Sequence, residues 1–189
     1  STNGDFSGAG NHGGADGLVF IIDSTGAIIR SKCFGGSGFD QVFSVTKTLD
    51  GKIIFLASTA SNDGDVSGNH ASGSDDFWVV KINSIGSIQW QKSLGGANED
   101  AAFSLKLTND GGYIVAGGAA SCDGDVTGLH GNCGKSDVWV VKLGGTNGIE
   151  ALPTSSITIF PNPTTGQVTI KGIAQPTVAV YNLMGQRVV

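Results

Sequence analysis

Gly4-Asp5, Gly64-Asp65 and Gly124-Asp125 stand 60 residues apart, and the echo reaches well beyond this dipeptide. Gly26 recurs as Gly86, Gly35-Gly36 as Gly95-Gly96, Asp40 as Asp100, Phe43-Ser44 as Phe103-Ser104, and Asp50-Gly51 as Asp110-Gly111. A long fixed period means that each repeat is one supersecondary unit that cannot bury its apolar face alone. Neighbouring repeats must therefore cover one another.

The second repeat shows what the unit is. Residues 76–83 form a β-branched and aromatic run that predicts a strand buried on both faces, ended by a turn at Ser84-Ile85-Gly86. Residues 88–94 follow, with Ile88 and Trp90 expected on one face and Gln89 and Gln91 on the other. Residues 101–108 alternate strictly. This places Ala101, Phe103, Leu105 and Leu107 on one side, and Ser104, Lys106 and Thr108 on the other. Residues 109–112, Asn-Asp-Gly-Gly, are a strong hairpin signal because they tolerate positive φ. Residues 113–116 read as a fourth strand. No window carries a 3.6-residue period, so the chain is expected to be all-β.

Four short antiparallel strands per repeat predict a blade of a β-propeller, a reading that repeat length and strand count favour over a β-sandwich or a β-solenoid. On this reading residues 16–60 and 75–120 make two full blades, and 137–143 is the first strand of a third. Residues 1–143 are then the C-terminal part of a longer propeller. Closure takes about four to eight blades, so the lone strand is expected to be completed from elsewhere. Residues 144–156 read as a Gly-containing linker, and 157–189 as a separate small β-module.

Composition narrows the function classes. A net charge of −5 argues against a nucleic-acid partner, which needs a basic stripe. No apolar run approaches the roughly 18 residues that span a bilayer. Ser1 is neither an initiator Met nor the start of a signal peptide, and reads as a processed end or a fragment edge. Of three cysteines, Cys122 and Cys133 bracket one Gly-rich loop whose earlier copy has neither. Two cysteines present only in this copy predict a local disulfide and an oxidising compartment. Cys33, in the place of Ser93, reads as a small buried residue.

The loop between repeats recurs as residues 3–8, 63–68 and 123–128, followed by His12, His70 and His130. Asp63 with Asp65, and Asp123 with Asp125, put two carboxylates one residue apart in a Gly-rich turn, a pattern that could supply oxygen ligands to Ca²⁺. The EF-hand spacing and its terminal Glu are missing. The competing reading, which the commonness of Asx turns favours, is that the aspartates cap turns while each histidine packs on the neighbouring blade. One histidine per repeat does not make a zinc site. No catalytic constellation, phosphate loop or dinucleotide fingerprint stands out, so no catalytic residue is assigned.

In the C-terminal module, Pro161 and Pro163 force an extended bend between two strands, and residues 182–185 turn after a third. Phe160, Pro161, Asn162, Pro163 and Gly166, followed by Tyr181, Asn182 and Gly185, closely resemble the two motifs of the type A C-terminal sorting domain of the Bacteroidota type IX secretion system. The repeats also resemble those such proteins carry ahead of the domain. The resemblance implies a partial Ig-like β-sandwich read by a translocon and its shuttle barrel, with a sortase cutting near the linker. It further implies passage through the periplasm to the outer-membrane surface or the medium. The family pattern continues for several strands past the point where this sequence stops.

Three functions compete. The first is a secreted or surface-displayed propeller that binds a glycan or protein, because rigid blades with variable loops suit binding. The second is a polysaccharide hydrolase or lyase with acids converging from several blades. The third is a structural component that assembles with itself.

Overall fold

The computed structural model describes residues 8–70, 73–130, 132–144, 158–160 and 169–171. The chain divides into two compact units, Ser1–Thr146 and Asn147–Val189. Every regular element among the described residues is a strand.

The first unit holds nine strands: β1 (Gly17–Ile22), β2 (Ile28–Phe34), β3 (Asp40–Lys47), β4 (Ile53–Thr59), β5 (Asp76–Ile82), β6 (Ile88–Leu94), β7 (Asp100–Leu107), β8 (Tyr113–Ala119) and β9 (Asp137–Leu143). They form antiparallel sheets in the orders β1-β2, β3-β4-β5-β6 and β7-β8-β9. This grouping corrects the expected one. A sheet takes the last two strands of one repeat and the first two of the next, so the loops at 60–75 and 120–136 lie within sheets, joining β4 to β5 and β8 to β9. The strand at 137–143 is accordingly not alone: it pairs along its length with β8.

The sheet boundaries fall at the double glycines, and close packing explains why. A β-carbon on Gly95 would run into the Asp76 and Asp100 carboxylates, and one on Gly96 into Asp123. The chain can leave one sheet and enter the next here only because no side chain occupies the crossing. Turns elsewhere are locally encoded. Asn83 Oδ1 accepts from the Ile85 and Ser87 N–H groups at 3.0 and 2.9 Å, and Asp23 Oδ1 does the same for Thr25 and Ala27 at 2.8 and 3.0 Å.

The sheets stack face to face, and the stack has a direction. One face of β3–β6, here called the front, presents Ile54, Leu56, Phe77 and Val79 to Leu105, Tyr113 and Val115 of the next sheet, with Trp139 over Phe77 at 5.1 Å between ring centres. The opposite face, the back, presents Phe55, Ala57, Trp78, Val80 and Ile82 to Val19 and Phe34 of the preceding sheet. β5 is thus covered on both sides, as its continuous apolar run predicts. Each fully buried large side chain of this layer contributes about 1.5–3 kcal/mol relative to exposure.

Two alternation expectations fail, both at β-bulges. The β7–β8 register skips Phe103, just as β3–β4 skips Phe43. The extra residue reverses the facing of what precedes it, so Ala102 and Leu105 are buried while Phe103 turns outward to meet Phe43 edge-on at 6.1 Å. The β5–β6 register likewise skips Gln89. Ile88 therefore packs into the back cluster and Trp90 against the front one, instead of sharing a face.

In the second unit β10 (Thr158–Phe160) pairs antiparallel with β11 (Thr169–Lys171), Thr158 opposite Lys171 and Phe160 opposite Thr169. These are the two strands expected on either side of the proline bend. The third expected strand lies outside the described residues.

Candidate functional site

The recurring loops line one edge of the stack, and each is stitched to the crossover beside it. Asp63 Oδ1 accepts from the Ser37 N–H at 2.7 Å, and Asp123 Oδ1 from the Ala97 N–H at 2.8 Å. The Ser37 N–H, with the Ser37 side chain, holds the Asp63 carboxyl below the usual range. Beneath them sits a buried aspartate in each repeat. Asp100 accepts from the N–H groups of Gly96, Ala120 and Ser121 at 2.9, 3.0 and 3.2 Å, and from the Ser121 hydroxyl at 2.7 Å. Asp40 accepts from Gly36 N–H, Ser61 Oγ and Thr59 Oγ1. These aspartates tie crossover, sheet and loop into one knot. Their recurrence four residues after the second glycine–strand break was visible in the sequence, but the residue type alone did not give them a role.

The second aspartate of each loop looks the other way, toward the preceding sheet. His70 Nδ1 lies 2.6 Å from Asp76 Oδ2, while its Nε2 lies 3.6 Å from Asp125 of the next loop, where Lys92 also approaches at 3.9 Å. One repeat earlier His12 spans Asp16 at 2.9 Å and Asp65 at 3.9 Å, with Lys32 at 3.8 Å from Asp65. Each ring bridges a carboxylate of its own sheet and one of the next, forming a ladder across the stack. The histidines do reach the neighbouring sheet, through carboxylates rather than by apolar packing. His130, the third in the series, is exposed, with its backbone N–H on Asp137 Oδ2 at 2.8 Å.

The four aspartates read as possible Ca²⁺ ligands thus divide between two tasks: Asp63 and Asp123 cap the crossovers, and Asp65 and Asp125 face cations of the preceding sheet. Among the described residues no group of three or more His, Cys, Asp or Glu side chains is gathered to hold a metal. The first copy of the loop, residues 3–7, lies outside the described residues.

Three buried carboxylate oxygens have no hydrogen-bond partner among the described residues: Asp16 Oδ1 and Asp76 Oδ1, one repeat apart, and Asp65 Oδ2, which His12 approaches only to 3.9 Å. Burial pushes the Asp76 carboxyl above its usual range, more than the His70 contacts lower it, and Asp100 adds to the rise.

Cys122 and Cys133 are joined as a disulfide, with Cα atoms 5.5 Å apart. The previous copy of the loop shows what the bridge replaces. There Asn62 reaches across the loop, its Oδ1 accepting from Gly68 N–H and its Nδ2 donating to Asn69 O, both at 3.2 Å. Cys33 is buried and unbridged, and burial, with Asp16 nearby, pushes its thiol up.

Of the C-terminal motif residues, Phe160 ends β10, and Pro161, Asn162, Pro163, Gly166, Tyr181, Asn182 and Gly185 lie outside the described residues. Residues 158–189 match the family model of the secretion system C-terminal sorting domain. The match supports secretion of this chain as type IX cargo, to the cell surface or beyond. No helix among the described residues is long and apolar enough to cross a membrane. The chain is also similar to the regulatory protein FlaEY of Caulobacter vibrioides, 31% identical over 94 residues that cover 44% of this chain. It spans about a tenth of that protein's length.

Proposed function

We propose that this chain is a non-catalytic binding module displayed outside the cell, with the stacked sheets as blades of a β-propeller and residues 157–189 as the address read by the type IX translocon, shuttle barrel and sortase. The observation that carries the export half is the sorting-domain match over residues 158–189. The binding half is supported by how the polar loop residues are used. Asp40, Asp63, Asp100 and Asp123 are engaged in holding backbone, and the loops they fix leave most of their residues exposed. Loops positioned by a stiff scaffold are the common setting for recognition.

Deleting residues 151–189 in a type IX-competent bacterium leaves the protein in the periplasm, as read by surface proteolysis and fractionation. Surface display of the truncated protein at the level of the intact one ends the export reading. The intact chain retains a ligand from a panel of surface glycans and extracellular proteins, and substitutions at Asn62, Ser67 and His70 weaken that retention. Turnover of a polysaccharide, abolished by an Asp→Asn change, would favour the hydrolase reading instead.

A further inference from the structure

At the Gly95 crossing a carboxylate of one sheet meets a carboxylate of the next. Asp76 opens β5, Asp100 opens β7, and neither has any exposed surface. Asp76 Oδ1 and Asp100 Oδ2 converge on one point: they lie 2.2 and 2.7 Å from where a β-carbon on Gly95 would stand. The other Asp76 oxygen, Oδ2, is engaged by the His70 N–H and ring Nδ1 at 3.0 and 2.6 Å. Oδ1 is buried and has no hydrogen-bond partner among the described residues. Asp100 Oδ2 accepts from the Gly96 N–H and the Ser121 hydroxyl. The constellation recurs one repeat earlier. There Asp16 Oδ1, also buried and unpartnered, and Asp40 Oδ2 lie 2.7 and 2.6 Å from the β-carbon position of Gly35, while His12 engages Asp16 Oδ2.

Two buried acceptors aimed at one place need a donor between them. The surroundings choose which. A hard cation takes several free oxygens, and of this pair only Asp76 Oδ1 is without a donor. A proton needs only the two oxygens that are there. We propose that Asp76 and Asp100 form a carboxylic acid–carboxylate pair, in which a proton taken from water rests on Asp76 Oδ1 and is donated to Asp100 Oδ2, stapling sheet β3–β6 to sheet β7–β9. When Asp76 returns that proton to water, two buried carboxylates face each other and the crossing loosens. The staple therefore responds to pH. Of the groups that face Asp76, His70 favours its charged form; burial outweighs His70, and Asp100 adds to burial in favouring the acid. Asp75, next to it, is itself pushed up by burial, then by Glu99, Asp40 and Asp76. The cation Lys92 stands beyond the His70 ring, 3.9 Å from Asp125, which His70 Nε2 meets at 3.6 Å. Ala15 holds the place of Asp75 at the earlier crossing, so Asp76 is the residue to test. The inference rests on neither the binding reading nor export.

The test follows the Asp76 carboxyl in the full chain across pH, by carboxyl-carbon NMR and by infrared difference spectra of wild type against Asp76→Asn. The wild type shows a carboxylic acid at Asp76 that ionises above the ordinary aspartate range, and the Asp100 signal moves with it because the pair titrates together. Asp100→Asn removes the facing charge and offers Asp76 Oδ1 an amide N–H, so the acid constant of Asp76 rises at least about tenfold. Burial alone leaves it unchanged. Hydrogen exchange gives a second reading that does not need Asp100→Asn to fold. In the wild type the Gly96 N–H, held by Asp100 Oδ2 at 2.9 Å, loses protection in step with the ionisation of Asp76. In Asp76→Asn the amide NH₂ donates to Asp100 at every pH, and Gly96 protection, corrected for intrinsic base catalysis, stays flat. An Asp76 that ionises in the ordinary range, as it does if water fills the gap, overturns the proposal. So does an acid constant unmoved by Asp100→Asn, or a Gly96 amide indifferent to the ionisation of Asp76.

Discussion

Replacing Asp100 by Asn tests whether the buried aspartates hold the sheets together. The carboxylate has no exposed surface, and its two oxygens accept four bonds. The amide is the same size but keeps one acceptor oxygen. Placed at Oδ1, that oxygen still serves Ala120 and Ser121; the Ser121 hydroxyl can turn to Asn98 O, 3.2 Å away. Gly96 then faces an NH₂ group, donor against donor, in a site closed to water. A stranded buried donor costs about 1–3 kcal/mol, and the remaining bonds lose the strength a charged acceptor gives them, so Asp100→Asn costs about 2–3 kcal/mol. For a unit of this size that lowers Tm by roughly 4–10 °C. Asp100→Ala strands the Ser121 N–H as well and leaves a void, and costs about 3–5 kcal/mol. Ala120 is spared in part, because its N–H also lies 3.1 Å from Glu99 O. Asp123→Asn is the internal control: its amide oxygen still accepts the single Ala97 bond, and the change stays within about 0.5 kcal/mol. Guanidinium titrations followed by far-UV circular dichroism and tryptophan fluorescence measure all three. If Asp100→Asn is no more costly than Asp123→Asn, or if the alanine variant is no worse than the asparagine one, the knot is not what fixes the crossover.

Two further outcomes follow from the same geometry. Replacing Cys122 and Cys133 by Ser removes a crosslink closing a short loop and costs about 2–3 kcal/mol by the chain-entropy estimate, read as a lower denaturation midpoint that matches wild type under reducing conditions; an unchanged midpoint shows that the loop is held by other means. Asp76 gives a pH signature. Because its folded-state pKa is raised by burial, the native state binds the extra proton, so its share of stability is complete below the unfolded carboxylate pKa and is lost as pH rises through the folded value. Asp76→Asn keeps an oxygen for the His70 contacts and removes the buried charge, so it gains stability over wild type at neutral pH and loses that advantage in acid. A gain that is equal at both pH values removes the unpartnered carboxylate as its cause.

The crossings at the double glycines are where local pattern stops deciding the fold. Local patterns carried the strands themselves: β-branched runs, the turn at Ser84-Ile85-Gly86, the hairpin signal at residues 109–112, and the paired cysteines are each decided by neighbours in the chain, so the nine strands of the first unit and one disulfide were legible. The tail motif was legible for the same reason, since its residues lie close together along the chain. Which strands share a sheet was not. A 60-residue period is the same wherever the boundary is drawn, and only the crowding of Asp76, Asp100 and Asp123 around Gly95-Gly96 places the break there. The bulges at Phe43, Gln89 and Phe103 are also tertiary decisions. Alternation predicts one facing, and a strand gives it up when an inserted residue lets Ala102 and Leu105 fill the space under the neighbouring sheet. Periodicity tells what each residue prefers beside its neighbours; the packing of sheet on sheet, with every buried carboxylate needing a donor, decides which preferences are kept.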